Sequence, residues 1–569
     1  AIDSPEAGPE HAAAMSLPLL ASLVLGLLAL GYTFYGRFVA RQLSLDDARK
    51  TPAEAVNDGV DFVPTRPFYL FGQHFSAIAA AGPIAGPILA CQAFGWLPCI
   101  LWIGLGVIFI GAVHDLTALF ASVRHNARSI AEIVKENVGP RAWKAILAFI
   151  WLALVYVILA FADVTAITFL GETDEASGVD KGGAVAAAST VYLLLAVAMG
   201  IVQRRFAPPL WLLTSIFVPA TLGAVWLGTE VSTLLLFSHR TWAVAIMAYC
   251  FLASLTPCWT LLQPRGYLGG FVLYIALAVG VAGIFFGGFP IHQPATTEAP
   301  LFGLGKSVFP FLFVTIACGA CSGFHGLVCS GTTSKQIARE SHCRAVGYGA
   351  MLLEGFVALI ALATVMILTA DEAKAKAPGV IYGEGLARFL TVLIGKELLV
   401  FAATFGKMAF STFVFDTLDV ATRLGRYILQ ELAGARGRAS AVTATALTAG
   451  VPLLILLATG KGGYQTFWTL FGTSNQLLAA LTLLGISVWL RRTGRRCWFT
   501  ILPMLFVMAI TLWSLAGQLL AFAGNLRHPE TGALLVANAA NGAVAVLLFL
   551  LTGLLAFDSS RALLRVRAG

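Results

Sequence analysis

The stretch FGQHFSAIAAAGPIAGPILACQ, residues 71–92, decides how this chain is expected to fold. It is apolar over the length a helix needs to cross a bilayer, about 20 residues. Gly82-Pro83 and Gly86-Pro87 interrupt it. Such interruptions free backbone groups that hydrocarbon cannot satisfy, so they are tolerated only where protein or a wet cavity covers them. A broken helix at membrane depth therefore predicts an all-α polytopic membrane protein with a binding site at the break. SLTPCWTLLQPRGYL, residues 254–268, carries Pro257 inside another apolar run and is expected to break in the same way.

The rest of the chain supports this reading. Its 569 residues are 58% hydrophobic and 12% charged, with a mean hydropathy of +0.83, whereas a soluble domain carries about 25% charged residues. About fifteen segments pass the length rule: 15–37, 72–92, 97–122, 141–170, 183–203, 208–228, 241–262, 269–288, 306–333, 345–369, 395–422, 441–460, 466–490, 497–523 and 534–556. Residues 38–68 and 129–139 read as interfacial or cytoplasmic helices. Met15 resembles a start, so residues 1–14 are expected to be a tag remnant or a disordered N-terminus.

The net charge of +8 does not point to nucleic acid, because the basic residues stand in short pieces between apolar runs. Arg124, Arg128, Lys135, Arg141, Arg204, Arg205, Arg265, Lys335, Arg339, Arg344, Arg423, Arg426, Arg491, Arg492, Arg495 and Arg496 fall in alternate connections. That pattern places the N-terminus outside and the C-terminus in the cytoplasm. DEAKAKAP, near residue 371, fits it least well. The nine cysteines lie in or beside apolar stretches, not in loops that would carry a disulfide framework.

Counting from the second segment, five spans over residues 69–228 precede five over 241–430, in opposite orientation. This predicts an inverted repeat whose halves each open with a broken helix. Residues 15–68 would form a first helix and linker, and 441–569 additional helices.

RPFYLFGQHFSAIAAAGPIAGP, LQPRGYL, FPFLFVTIACGACSGFHGLVCSGTTSKQ, GYGAMLLEG, KMAFSTFVFDTLDVATRLGRY and LFGTSNQLLAALTLL, between residues 66 and 484, closely resemble the carbon starvation (CstA) family. The resemblance implies an importer of pyruvate or small peptides in a bacterial inner membrane. It also implies kinship with amino acid, polyamine and organocation transporters, whose core is a LeuT-like 5+5 inverted repeat. It assigns no binding residues.

For a carboxylate substrate, the backbone N–H groups around Ala81, Gly82 and Gly86 and the half-helix after Pro257 are the expected donors. Gln73, Ser76, Thr256 and Ser322 are the expected side-chain partners. The competing reading is that these groups only cap broken helix ends.

For ion coupling, Cys329, Thr332 and Thr333 stand at i, i+3 and i+4, and hydroxyl oxygens suit a hard cation such as sodium. In LeuT-like proteins, the resemblance implies, the helix in this position supplies such ligands. Small residues that let helices approach closely are the alternative.

A proton would instead use ionisable groups at membrane depth, of which His74, His114, Asp115, Asp163, His325, Glu354, Lys407 and Asp416 are candidates. His114 and Asp115 are expected to pair with Arg124, and Asp416 and Asp419 with Arg423. Cys318, Cys321 and His325 share a helix face at zinc-like spacing but lack a fourth ligand.

No cofactor beyond a coupling proton or sodium is implied, and the expected partners are a small-molecule substrate and membrane lipid. The oligomeric state stays open. The phosphate-loop pattern an ATP-driven pump needs is absent, since Pro300 stands where GLGKS would require glycine. No H-E-x-x-H metalloprotease motif and no obvious haem ligand pair occurs. A transporter-like nutrient sensor and a metal- or haem-binding intramembrane enzyme are the alternatives to a transporter that is not an enzyme.

Overall fold

Proline and capping side chains mark where the helices begin. Pro67, Pro140 and Pro378 occupy first turns, and the side chains of Asp180, Ser238 and Thr369 accept from the N–H groups of Gly183, Thr241 and Glu372. The computed structural model describes residues 16–59, 61–173, 178–527 and 533–565. The expected N-terminal remnant at residues 1–14 lies outside them.

The described residues form helices and no β-strand, with only isolated bridges. Among the described residues twelve helices are long and apolar enough to span a membrane, and Pro67–Ile78 with Gly82–Phe94, bent by 47°, passes the same test when the pair is taken together. The expected seventh segment is the 17-residue helix His239–Leu255. The ninth is broken into Val308–Leu312, Phe313–Thr315 and Gly323–Gly331.

Burial sorts the spans into inner and outer helices. The best apolar window of Tyr464–Arg492 is 100% buried, against 28% for Leu535–Leu564. The inner helix carries more polar side chains, because its neighbours can satisfy them while lipid cannot.

One helix was not expected. Pro378–Ile394 packs antiparallel to the start of Lys396–Ala433, with Gly379 against Phe410 and Gly383 against Lys407. Gly379, Gly383, Glu384, Gly385 and Arg388 dilute its apolar run, while Ile381, Leu386 and Phe389 are fully buried. Gly379 also meets Thr168, at the end of Pro140–Thr168, and Arg388 meets Ile367, at the end of Arg344–Met366.

Arg124, Arg492 and Arg495 gather at one end, whereas Arg265, Arg423 and Arg426, expected in connections, are buried within helices. Arg124 lies 2.6 Å from Glu340, Asp46 N–H donates to Glu340 at 2.8 Å, Arg492 reaches Glu136 O, Arg495 reaches Leu43 O, and Trp143 donates to Glu431 at 3.0 Å. At the opposite end Trp96 N–H donates to Pro294 O, and Gln293 to Leu368 O.

Candidate functional site

The first break falls at Gly82-Pro83, whereas Gly86-Pro87 does not interrupt the segment and lies inside the helix that follows. Pro67–Ile78 ends, Ala79 leaves helical geometry at ψ 56°, and a new helix starts at Gly82. The second break does not involve Pro257. His239–Leu255 simply ends before that proline and Leu262–Phe286 begins after it, so Thr256 and Pro257 lie in a connection between two helices. The Thr256 hydroxyl donates to Ala253 O and its carbonyl accepts from Arg423. Neither Thr256 nor Pro257 lines the cavity at the first break.

The partner of the first break is residues 316–322, in the expected ninth segment, where the sequence IACGACS contains no proline. The two breaks pack backbone to backbone. A Cβ on Gly86 would stand 2.7 Å from Thr315 O, and one on Gly82 would stand 2.6 Å from Cys318 Cβ. Only glycine permits that approach.

Neighbouring side chains satisfy the freed backbone groups. Gln476 donates to Phe313 O at 2.9 Å, Trp468 to Thr315 O at 3.2 Å, and Trp102 to Ile316 O at 3.3 Å. Asn475 Oδ1 accepts from Phe324 N–H at 3.0 Å, while its Nδ2 donates to Ser322 Oγ at 3.1 Å and to Cys318 Sγ at 3.2 Å. This is the compensation an irregular backbone at membrane depth requires.

Between the breaks lies a cavity of about 20 Å³, lined by Gly82, Pro83, Cys318, Ser322, His325 and Asn475 among others. It has room for about one water molecule. The helices Gly82–Phe94 and Gly323–Gly331 both begin at its wall, bringing two N-terminal dipole ends to one point. Of the residues expected to bind substrate, Gly82 and Ser322 line this cavity and the buried Ala81 and Gly86 flank it. Gln73 is exposed, and Ser76 faces Gly270.

Beside the cavity runs a buried row of ionisable groups. His325 Nδ1 lies 2.9 Å from Asp115 Oδ2, and His325 Nε2 lies 3.2 Å from Glu354 Oε2. His114 Nδ1 holds Asp115 Oδ1 at 2.7 Å. His74 Nδ1 meets Thr333 Oγ1 at 2.9 Å. Asp115 thus pairs with two histidines and not with Arg124, whose partner is Glu340.

The face expected from Cys329, Thr332 and Thr333 is not assembled. The helix ends at Gly331, Thr332 is exposed and donates to Val328 O, Thr333 is bound to His74, and Cys329 Sγ points to Asp115 O. No oxygen trio converges there.

The remaining candidates lie elsewhere. Asp163 holds His239 at 2.6 Å and the Tyr464 N–H at 2.7 Å. Lys407 is buried with its stem against Gly383. Asp416 and Asp419 pair with the fully buried Arg265, at 2.6 and 2.7 Å, while Arg423 donates to Ala253 O and Thr256 O. Cys318, Cys321 and His325 do not gather as metal ligands: among the described residues no cluster of three His, Cys, Asp or Glu side chains suited to a metal ion exists.

Sequence reasoning passed over Asn475, Gln476, Trp102 and Trp468. The adjacent amides in LFGTSNQLLAALTLL were the available signal, since a polar side chain inside an apolar span is there to bond across helices.

The fold and site together define a polytopic helical membrane protein of the transporter class, with two helix breaks closing on a small, mostly apolar cavity into which a few polar side chains reach. Residues 15–384 and 369–514 match the family model "Carbon starvation protein CstA", and the chain belongs to that family. Among its relatives, the peptide transporter CstA of Helicobacter pylori strain J99 is 34% identical over 561 residues, covering 85% of this chain and 80% of the relative. The pyruvate/proton symporter BtsT of Escherichia coli K12 is 33% identical over 604 residues, covering 90% and 82%. A solved manganese transporter mutant from Eremococcus coleocola is 15% identical at a TM-score of 0.41, covering 89% of this chain and 99% of that one.

Proposed function

We propose that this chain is an ion-coupled importer of a small carboxylate, pyruvate or a short peptide, in a bacterial inner membrane, with the N-terminus outside and the C-terminus in the cytoplasm. The observation that carries the reading is the meeting of two half-helix N-termini, at Gly82 and Gly323, over a cavity lined by Ser322, Asn475 and His325. N–H groups and dipole ends directed at one point suit a carboxylate. A cavity of about 20 Å³ is too small for such a solute, so transport requires the two breaks to separate. The LeuT-like inverted repeat remains part of this reading, with residues 316–322 in place of Pro257 as the break of the second half.

A proton is favoured over sodium as the coupling ion, because the hydroxyls of Thr332 and Thr333 diverge while a buried His–Asp–Glu row borders the cavity. The relatives named as a peptide transporter and as a pyruvate/proton symporter bracket the substrate class.

The test is uptake of labelled pyruvate and of labelled dialanine into proteoliposomes, with proton and sodium gradients imposed separately. Accumulation of either solute under a proton gradient alone is expected. Binding of a solute without counterflow would favour a sensor. Absence of both binding and uptake for the two solutes would overturn the reading.

A further inference from the structure

The row Asp115, His325 and Glu354 joins three helices, Trp96–Arg124, Gly323–Gly331 and Arg344–Met366, and each of the three side chains is at most 1% exposed. His325 also lines the cavity between the breaks, so one imidazole belongs to both sites.

The two carboxylates are not equivalent. Asp115 is bonded on both oxygens, by His114 and His325. Glu354 has neither oxygen in a hydrogen bond, and only the 3.2 Å approach to His325 Nε2 engages it. A fully buried ionised carboxylate without hydrogen bonds is costly, and protonation removes that cost.

A count of protons points the same way. A neutral imidazole donates from one nitrogen only, yet both nitrogens of His325 face carboxylate oxygens. If both carboxylates are ionised, His325 must be imidazolium, and the trio then carries a net charge of minus one while almost fully buried. One further proton, placed on Glu354, makes the trio neutral while keeping the ion pair between Asp115 and His325. His114 does not supply this site. Its Nδ1 is engaged with Asp115, and its Nε2 is buried without a partner, so a proton added there would find no acceptor.

The other titratable groups facing the row are His74 from Pro67–Ile78, Cys318 and Cys321 from the second break, and Cys329 from Gly323–Gly331. The amide of Asn475 faces the cavity from Tyr464–Arg492.

We infer that Glu354 is the carrier of the coupling proton, and that His325 links its protonation to the charge of the solute between the two breaks. With the breaks apart the site is wet and Glu354 stands as a carboxylate; a solute carboxylate closed in beside His325 adds a negative charge as that water leaves, and uptake of a proton by Glu354 offsets it. Solute release and proton release then go together. This inference rests on the importer reading above, and its test separates the two.

Wild-type protein in weakly buffered detergent solution should take up one proton per labelled pyruvate or dialanine bound, read by a pH-sensitive dye. In proteoliposomes, Glu354→Gln should lose proton-driven accumulation and keep solute counterflow, and its binding should release or take up no proton. Glu384→Gln, a partly exposed acid remote from the row, should behave as wild type. Proton-driven accumulation retained in Glu354→Gln overturns the inference. Loss of counterflow in a Glu354→Gln protein that melts like the wild type overturns it as well. If that variant does not fold, the wild-type measurement decides alone, and solute binding without proton uptake overturns the inference. A wild type that neither binds nor moves either solute refutes the importer reading instead.

Discussion

Replacing Gly86 by alanine tests the contact between the two breaks most directly. The new Cβ would stand 2.7 Å from Thr315 O and 3.3 Å from Ile316 Cα, and both are backbone atoms that no rotamer change can move aside. Ordinary contact begins near 3.4 Å, so the helices must part by about 0.7 Å. Overpacking of this kind costs about 1–3 kcal/mol, against a gain of about 1 kcal/mol for alanine over glycine in a helix.

Gly223 provides the control, because it lies in the helix Leu210–Glu230 with nothing within 4 Å of its added Cβ. Gly223→Ala should therefore be neutral or stabilising, while Gly86→Ala lowers the melting temperature and slows uptake. The two differ by about 1–3 kcal/mol in expected stability. Melting in detergent at one fixed scan rate is the assay, since unfolding of such a protein is a rate measurement. Gly86→Ala melting at or above Gly223→Ala, with uptake unchanged, would refute the packing of the breaks.

Asn475→Ala should cost about 1–3 kcal/mol, because it leaves the Phe324 N–H buried without an acceptor, whereas Asn475→Asp keeps that acceptor and should lose less. Equal melting temperatures for Asn475→Ala and wild type would contradict this. Outside the membrane, Glu372 accepts from the Thr369 N–H and pairs with Arg388, which hold its carboxyl below the usual range. A lowered folded-state pKa stabilises the fold above the unfolded value of about 4.3 and loses that contribution as pH falls through the folded value. The margin of wild type over Glu372→Gln should be present at neutral pH, at about 1 kcal/mol or less, and vanish in acid. A margin that persists through acid titration would show that the carboxylate does not act in this way.

The first break was legible because Gly82-Pro83 marks it in sequence, and both proline and glycine act locally on the backbone; Gly86-Pro87 carries the same signal yet lies inside a continuous helix. The second was not, because IACGACS has no proline and its irregular course follows carbonyls at Phe313, Thr315 and Ile316 that Gln476, Trp468 and Trp102 bond from distant helices. Pro257 misled because a proline that ends a helix and one that interrupts a span look alike in sequence. Charge pairing failed for a geometric reason. Asp115 and Arg124 are nine residues apart on one helix, about 13 Å along its axis, too far to touch, while His325 is 210 positions away and in contact.

Membrane class, the approximate positions of most spans, the sidedness pattern of the basic loops and the list of costly buried ionisable residues follow from the sequence alone. Each depends on local length, hydropathy or charge, quantities that a bilayer reads one segment at a time. Which break meets which, which carboxylate is satisfied and which is bare, and which helix donates to an opened backbone were decided only by the tertiary structure. Those are properties of pairs, set when helices far apart in the chain pack closely enough for a glycine to matter.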